Sequence, residues 1–115
     1  MYKILIFLKR KPGTNVAEFR NYYETTHAKL ALQYSQGVDR YLRRYIDVLP
    51  NAETGAVTEP EFDVITELWF KDETIYHNTV QYLSSHTMPQ AIIDDEERFL
   101  DRGKSKIATV EEVEY

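Results

Sequence analysis

Hydrophobic residues recur along this chain with two periods, and the switches between them mark out its elements. From Tyr2 to Lys9 the pattern has period two, with Ile4, Ile6 and Leu8 on one face and Leu5 and Phe7 on the other, which predicts a central strand covered on both sides. Lys11-Pro12-Gly13 breaks it. From Asn15 to Leu32, NVAEFRNYYETTHAKLAL, the spacing becomes helical: Phe19, Tyr22, Tyr23, Thr26, His27 and Leu30 form one inward stripe, while Glu18, Arg20, Asn21, Glu24, Thr25 and Lys29 fall mainly elsewhere. Asn15 can accept from a first-turn amide and Glu18 can reach back to the amide of Asn15, a capping-box start. Ser35-Gln36-Gly37 supplies the exit, glycine being free to take a left-handed conformation.

The second half repeats the unit. Val38 to Leu49 reads as a long strand, with Leu42, Arg44, Ile46 and Val48 on one side and Tyr41, Arg43, Tyr45 and Asp47 on the other. Pro50 to Pro60 is rich in turn residues and reads as an exposed loop. Phe62 to Phe70 is another strand, placing Phe62, Val64, Thr66, Leu68 and Phe70 opposite Asp63, Ile65, Glu67 and Trp69. Asp72 caps a helix whose stripe is Ile75, Tyr76, Thr79, Val80, Tyr82 and Leu83. His86-Thr87-Met88-Pro89 opens a shorter helix carrying Ile92, Ile93, Phe99 and Leu100, with Asp94, Asp95, Glu96 and Glu97 largely turned to solvent and Gly103 as its end. Lys104 to Tyr115 reads as a last, fraying strand. The order β-α-β-β-α-(α)-β implies an α+β, ferredoxin-like split β-α-β domain with a four-stranded antiparallel sheet and helices on one side. Apolar side chains on the second sheet face call for a cover, and a homodimer with its sheets face to face supplies one.

At 115 residues the chain suits one domain, and 43% hydrophobic with 29% charged residues places it among folded proteins. A net charge of −5 leaves only Lys9, Arg10 and Lys11 as a basic cluster, so nucleic acid is not an expected partner. There is no cysteine, hence no disulfide framework or thiol nucleophile, and YKILIFL is too short for a membrane span, making a cytoplasmic protein the default.

The chemistry with the best support sits on the first helix. Tyr23 and His27 stand four apart on the apolar stripe, where an imidazole can serve as general acid or base and a phenol can orient it or support a developing enolate oxygen. The competing interpretation is a core histidine beside a core-edge tyrosine. Phe19, Tyr22, Trp69, Tyr76 and Phe99 are candidate pocket walls, and His86 could close the mouth or lie on the surface; His77 reads as exposed. Asp63 and Glu67 share a strand face and can pair with Arg44 or Arg43 or hold the imidazole, and Arg44 could instead grip a ligand carbonyl. The three histidines have no metal-ligand spacing, and no phosphate loop, dinucleotide fingerprint or serine elbow occurs, so neither a metal nor a cofactor is expected.

Four segments in order, ILIFLKRKPGTNVAEFRNYYETTHAKLA, RYLRRYI, FDVITELWFKD and DDEERFLDR, resemble the EthD family, named for its association with ethyl tert-butyl ether degradation. The resemblance implies a dimeric α/β barrel and maps the family's helix histidine onto His27. Lys29 stands where relatives often carry proline, so the helix should run further here. Members of the wider superfamily include cofactor-free polyketide cyclases, lactone isomerases, small monooxygenases and haem-binding barrels. The leading expectation is a cofactor-independent enzyme on a small apolar carbonyl, phenolic, polyketide or lactone compound, working as cyclase, isomerase or dehydratase. A small monooxygenase or haem-binding relative, and a non-catalytic accessory protein that carries a ligand for an oxidising partner, are the alternatives.

Overall fold

The computed structural model describes residues 1–115. Strand β1 (Tyr2–Leu8) leads to helix α1 (Val16–Tyr22), which passes through a π-helical turn (Tyr23–His27) into α2 (Ala28–Gln33). Strands β2 (Arg40–Tyr45) and β3 (Val64–Phe70) follow, then helices α3 (Glu73–Ser84) and α4 (Gln90–Phe99), and strand β4 (Lys106–Thr109). The sheet is antiparallel in the order β2-β3-β1-β4, the ferredoxin-like arrangement. Three strands are shorter than their sequence patterns: β2 stops at Tyr45 rather than Leu49, β3 starts at Val64 rather than Phe62, and β4 ends at Thr109 with no strand beyond it. Backbone bonding carries on for one residue past β2 and β3, from Ile46 to Asp63 and from Asp63 to Leu8, and beyond these the lost stretches have no strand to pair with.

Helices cover one face of this sheet. Ile4 and Leu8 of β1 and Val64, Leu68 and Phe70 of β3 are buried there. They form two clusters, one with Phe19, Tyr23, Ala28, Phe99 and Leu100, the other with half-buried Ile75, Tyr76, Val80 and Leu83 of α3. Pairing of Tyr41 with Leu68 and of Arg43 with Thr66 places Tyr41, Arg43 and Tyr45 on this inner face, so the aliphatic side of the second strand, with Leu42 and Arg44, points away from the helices. On that outer face Leu5, Phe7, Ile65 and Trp69 are only half-buried. Between α2 and β2, Gly37 has φ 80° and lies so close to Ile75 that a Cβ would sit 2.8 Å from its Cγ2.

The first helix differs from its sequence pattern inside, not at its ends. Asn15 Oδ1 accepts from the Glu18 amide at 2.8 Å, as a capping box requires, but the Glu18 carboxylate meets the Asn15 side-chain amide at 2.6 Å rather than the backbone. At the π-helical turn the Ala28 amide reaches back five residues to the Tyr23 carbonyl. The widened turn buries the consecutive residues His27 and Ala28 and leaves Thr26, expected on the inward stripe, exposed. Thr25 Oγ1 donates to the Asn21 carbonyl at 2.7 Å, supplying that carbonyl with a side-chain donor at the turn.

Candidate active site

Between the inner sheet face and the helices lies a cavity of about 660 Å³. Its floor comes from Ile6, Tyr41, Thr66 and Leu68, and its walls from Tyr23 and His27, from α3 and from Ile92, Ile93 and Glu96 of α4. The volume is that of a small-molecule site, and just over half of the lining residues are apolar, the others being polar or charged.

His27 is held from the α4 side. Its ring lies 4.8 Å from that of Phe99 and meets Tyr23 edge-on at 5.0 Å. Its Nδ1 is 2.6 Å from Asp95 Oδ2, and the other oxygen of that carboxylate accepts from the Tyr22 hydroxyl at 2.7 Å. Burial lowers the His27 pKa below its usual value, and the bond to Asp95 opposes this only in part, so the ring is neutral at pH 7. A carboxylate at Nδ1 fixes the proton there and leaves Nε2 as the basic nitrogen.

Beside it is a cluster of three hydroxyls. Tyr23 Oη is 2.9 Å from Tyr41 Oη and 2.5 Å from Thr66 Oγ1. Two contacts among three hydroxyls consume two O–H groups, so one remains able to donate to a guest. Burial raises the pKa of both phenols, which stay protonated as donors. The strand beneath is tied to the helix by Glu24, which accepts from Arg43 at 2.6 and 3.0 Å and from the Tyr45 hydroxyl at 2.5 Å.

The residues singled out in the sequence distribute unevenly over this geometry. Tyr23, His27 and His86 line the cavity. The His86 backbone has φ 60°, just past the end of α3, and its side chain is exposed. Tyr23 contacts the imidazole through its ring edge, and the group that orients His27 is Asp95. Phe19 and Phe99 are packed in the core under the site, Tyr22 acts through Asp95, and Tyr76 stacks on Tyr2 at 5.2 Å outside the cavity. Arg44, Glu67 and Trp69 lie on the opposite face of the sheet, because the register pairs Leu42 with Glu67 and Arg40 with Trp69; there Arg44 and the Trp69 indole both bond Glu67. Asp63 pairs with neither candidate arginine: it accepts from the backbone amide of Arg10 at 2.8 Å and from its guanidinium at 2.9 Å. The carboxylates of α4 are the main correction. Asp95 is 2% exposed and Glu96 lines the cavity, where all four were expected to face solvent. A sequence signal existed: Ile92, Asp95 and Phe99 are spaced three and then four apart, which puts Asp95 on the buried stripe.

The family profile of the EthD domain matches residues 11–103. The chain belongs to the EthD family. No functionally curated protein matches it. Among solved structures, an ethyl tert-butyl ether degradation (EthD) family protein from Bacillus halodurans C-125 is 24% identical, with a TM-score of 0.59 over 98% of this chain and 100% of that one. A protein from Arabidopsis thaliana is 13% identical, with a TM-score of 0.58, 100% of this chain and 98% of that one being covered. HapK from Hahella chejuensis is 9% identical at a TM-score of 0.53, over 100% of this chain and 97% of that one. At these identities the likeness is one of fold. This EthD domain thus encloses a cavity of small-molecule size, and no helix in it is long and apolar enough to cross a membrane.

Proposed function

We propose that this EthD protein is a cofactor-independent enzyme that moves a proton on a small, mostly apolar carbonyl compound, with His27 as the general base. The observation that carries the reading is the buried His27–Asp95 pair in the wall of the cavity, whose second ring nitrogen bonds no protein group. Nε2 takes the proton from the carbon next to the carbonyl. Asp95 stabilises the imidazolium as it forms and keeps the ring from turning, and the spare O–H of the Tyr23, Tyr41 and Thr66 cluster meets the enolate oxygen. Return of the proton to another atom gives isomerisation; attack of the enolate carbon on a second carbonyl of the same molecule breaks that C=O π bond, and the new alkoxide takes the proton from the imidazolium, giving cyclisation. The half-buried outer face of Leu5, Phe7, Ile65 and Trp69 supports a homodimer with the sheets face to face.

The experiment requires no knowledge of the natural substrate. A panel of enolisable aryl and alkyl ketones and β-diketones is incubated with the protein in D₂O, and loss of the α-proton signal is followed by NMR. Wild type should accelerate exchange of at least one compound, and His27→Ala should slow it by roughly 10²-fold or more. Exchange at full rate in the alanine variant would sink the reading. Unchanged exchange with the wild type, together with ligand binding, would favour the carrier alternative.

A histidine backed by a carboxylate is also how metal-bound imidazoles are held, which favours a haem-binding alternative. The rest of the lining fits a haem poorly: it offers one guanidinium, Arg102, for two propionates, and the carboxylate of Glu96 beside it. A Soret band on adding haem, lost in His27→Ala, would reverse that judgement.

A further inference from the structure

Glu96 has no part in the chemistry above, yet its position is unusual. Its side chain is 14% exposed, and its Oε1 is closed off from solvent and accepts no hydrogen bond. The nearest cation, Nε of Arg102, is 3.7 Å from that oxygen, close enough to temper its charge and too far to fill its lone pairs. Ile92, Ile93 and Glu96 line the cavity together, whereas the adjacent Asp95 is consumed by His27 and Tyr22. Oε1 is sealed on the Arg102 side and has no surface open to the cavity, so the oxygen that a guest can reach is Oε2, which no protein donor fills. Burial, reinforced by Asp95, raises the Glu96 pKa despite Arg102. A carboxyl in that condition accepts readily from a neutral hydroxyl and disfavours an anionic guest.

We propose that Glu96 is the hydroxyl-recognising group of the cavity, and that the natural guest is an apolar hydroxy-ketone. Its hydroxyl donates to Glu96 while its carbonyl lies toward the hydroxyls of Tyr23, Tyr41 and Thr66. This rests on the proton-transfer reading for the carbonyl end only. The hydroxyl end is a matter of binding and is tested separately.

The probes are 6-hydroxy-2-acetylnaphthalene and its 6-methoxy analogue, which share ring and ketone and differ in the ability to donate. Titration by fluorescence or calorimetry should show wild type binding the hydroxy ketone about 10-fold more tightly than the methoxy ketone. Glu96→Leu should bring the ratio close to one by weakening the hydroxy ketone alone. Glu96→Gln, which keeps the shape and an acceptor oxygen, should retain part of the preference. Thermal melts of both variants confirm that they are folded. Equal binding of the two probes by wild type, binding of neither, or a preference that survives in Glu96→Leu would overturn the proposal. Failure of the proton-transfer reading has a different signature: the hydroxy ketone binds selectively and its α-protons do not exchange.

Discussion

At the scale of single residues, Asp95 decides what His27 can be. Replacing it with asparagine keeps the volume, but an amide can present its NH₂ to Nδ1 and so favour the tautomer with the proton on Nε2, the wrong nitrogen for a base. Asp95→Asn should therefore slow α-proton exchange by at least 10-fold, roughly, while leaving ketone affinity within about two-fold, as read from exchange rates at varied ketone concentration. The same site sets an acid limit on stability. Because burial lowers the His27 pKa in the folded state, the unfolded chain takes up the proton first as pH falls below about 6.5, and proton uptake by the unfolded state favours unfolding. The contribution is thus intact above that pH and lost as pH falls through the folded value. Thermal melts from pH 7.5 to 5 should show wild type losing stability more steeply than His27→Gln. His27 and Tyr23 were visible in the sequence because an apolar stripe makes a polar member conspicuous. Asp95 and Glu96 were hidden by their neighbours: in a run of four carboxylates, which one is buried depends on the rotation of the helix, and only the spacing to Ile92 and Phe99 reports that.

At the scale of elements, the two N-caps and the Gly37 exit followed from residue chemistry, whereas the strand register and the end of α4, which stops at Phe99 with Gly103 in a separate 3-10 turn, did not. Asn15 and Asp72 cap their helices through amides three residues on, at 2.8 and 2.9 Å, as their positions required. Gly37 was legible as a helix exit, but its second constraint, contact with Ile75 some forty residues away in sequence, belongs to the packing of α3 on the loop. Gly37→Ala meets both the positive φ and a 2.8 Å approach, and should destabilise by about 1–3 kcal/mol in urea unfolding. The faces of β2 could not be read, since tyrosines and arginines on one side and aliphatic residues on the other suggest the reverse of what pairing with β3 produces. Tyr41 and Tyr45 face the core because their hydroxyls find Tyr23 and Glu24, partners that no strand pattern contains.

At the scale of the molecule, the alternation of strand and helix carried the topology, since two similar strand-helix-strand halves leave few ways to fold. The cavity was less accessible. Its position followed from which helix face is buried, but most of its lining is scattered over residues that no motif joins, such as Thr66, Met88 and Ser105. The second sheet face leads to a prediction of assembly. Ile65 is half-buried there, opposite Arg44 on β2 and Phe7 on β1. Ile65→Glu would place a carboxylate where Arg44 can pair with it in an isolated chain, and a charge at the centre of a sheet-to-sheet interface in a dimer. Sedimentation at micromolar concentration should show a dimer for wild type and a folded monomer for Ile65→Glu.

The π-helical turn gives the chain a spare residue. Between Tyr23 and His27 there is one more position than a regular helix needs, and exposed Thr26 can be removed without emptying any core site. In such a shortened chain the bond from the Ala28 amide to the Tyr23 carbonyl would span four residues rather than five, Ala28 would keep its inward place, and His27, now within the widened turn, would be drawn into ordinary α geometry and away from its present direction. The protein would keep its helical circular dichroism and lose the coupling between histidine and Asp95. One codon, added or deleted, therefore decides whether His27 meets Asp95.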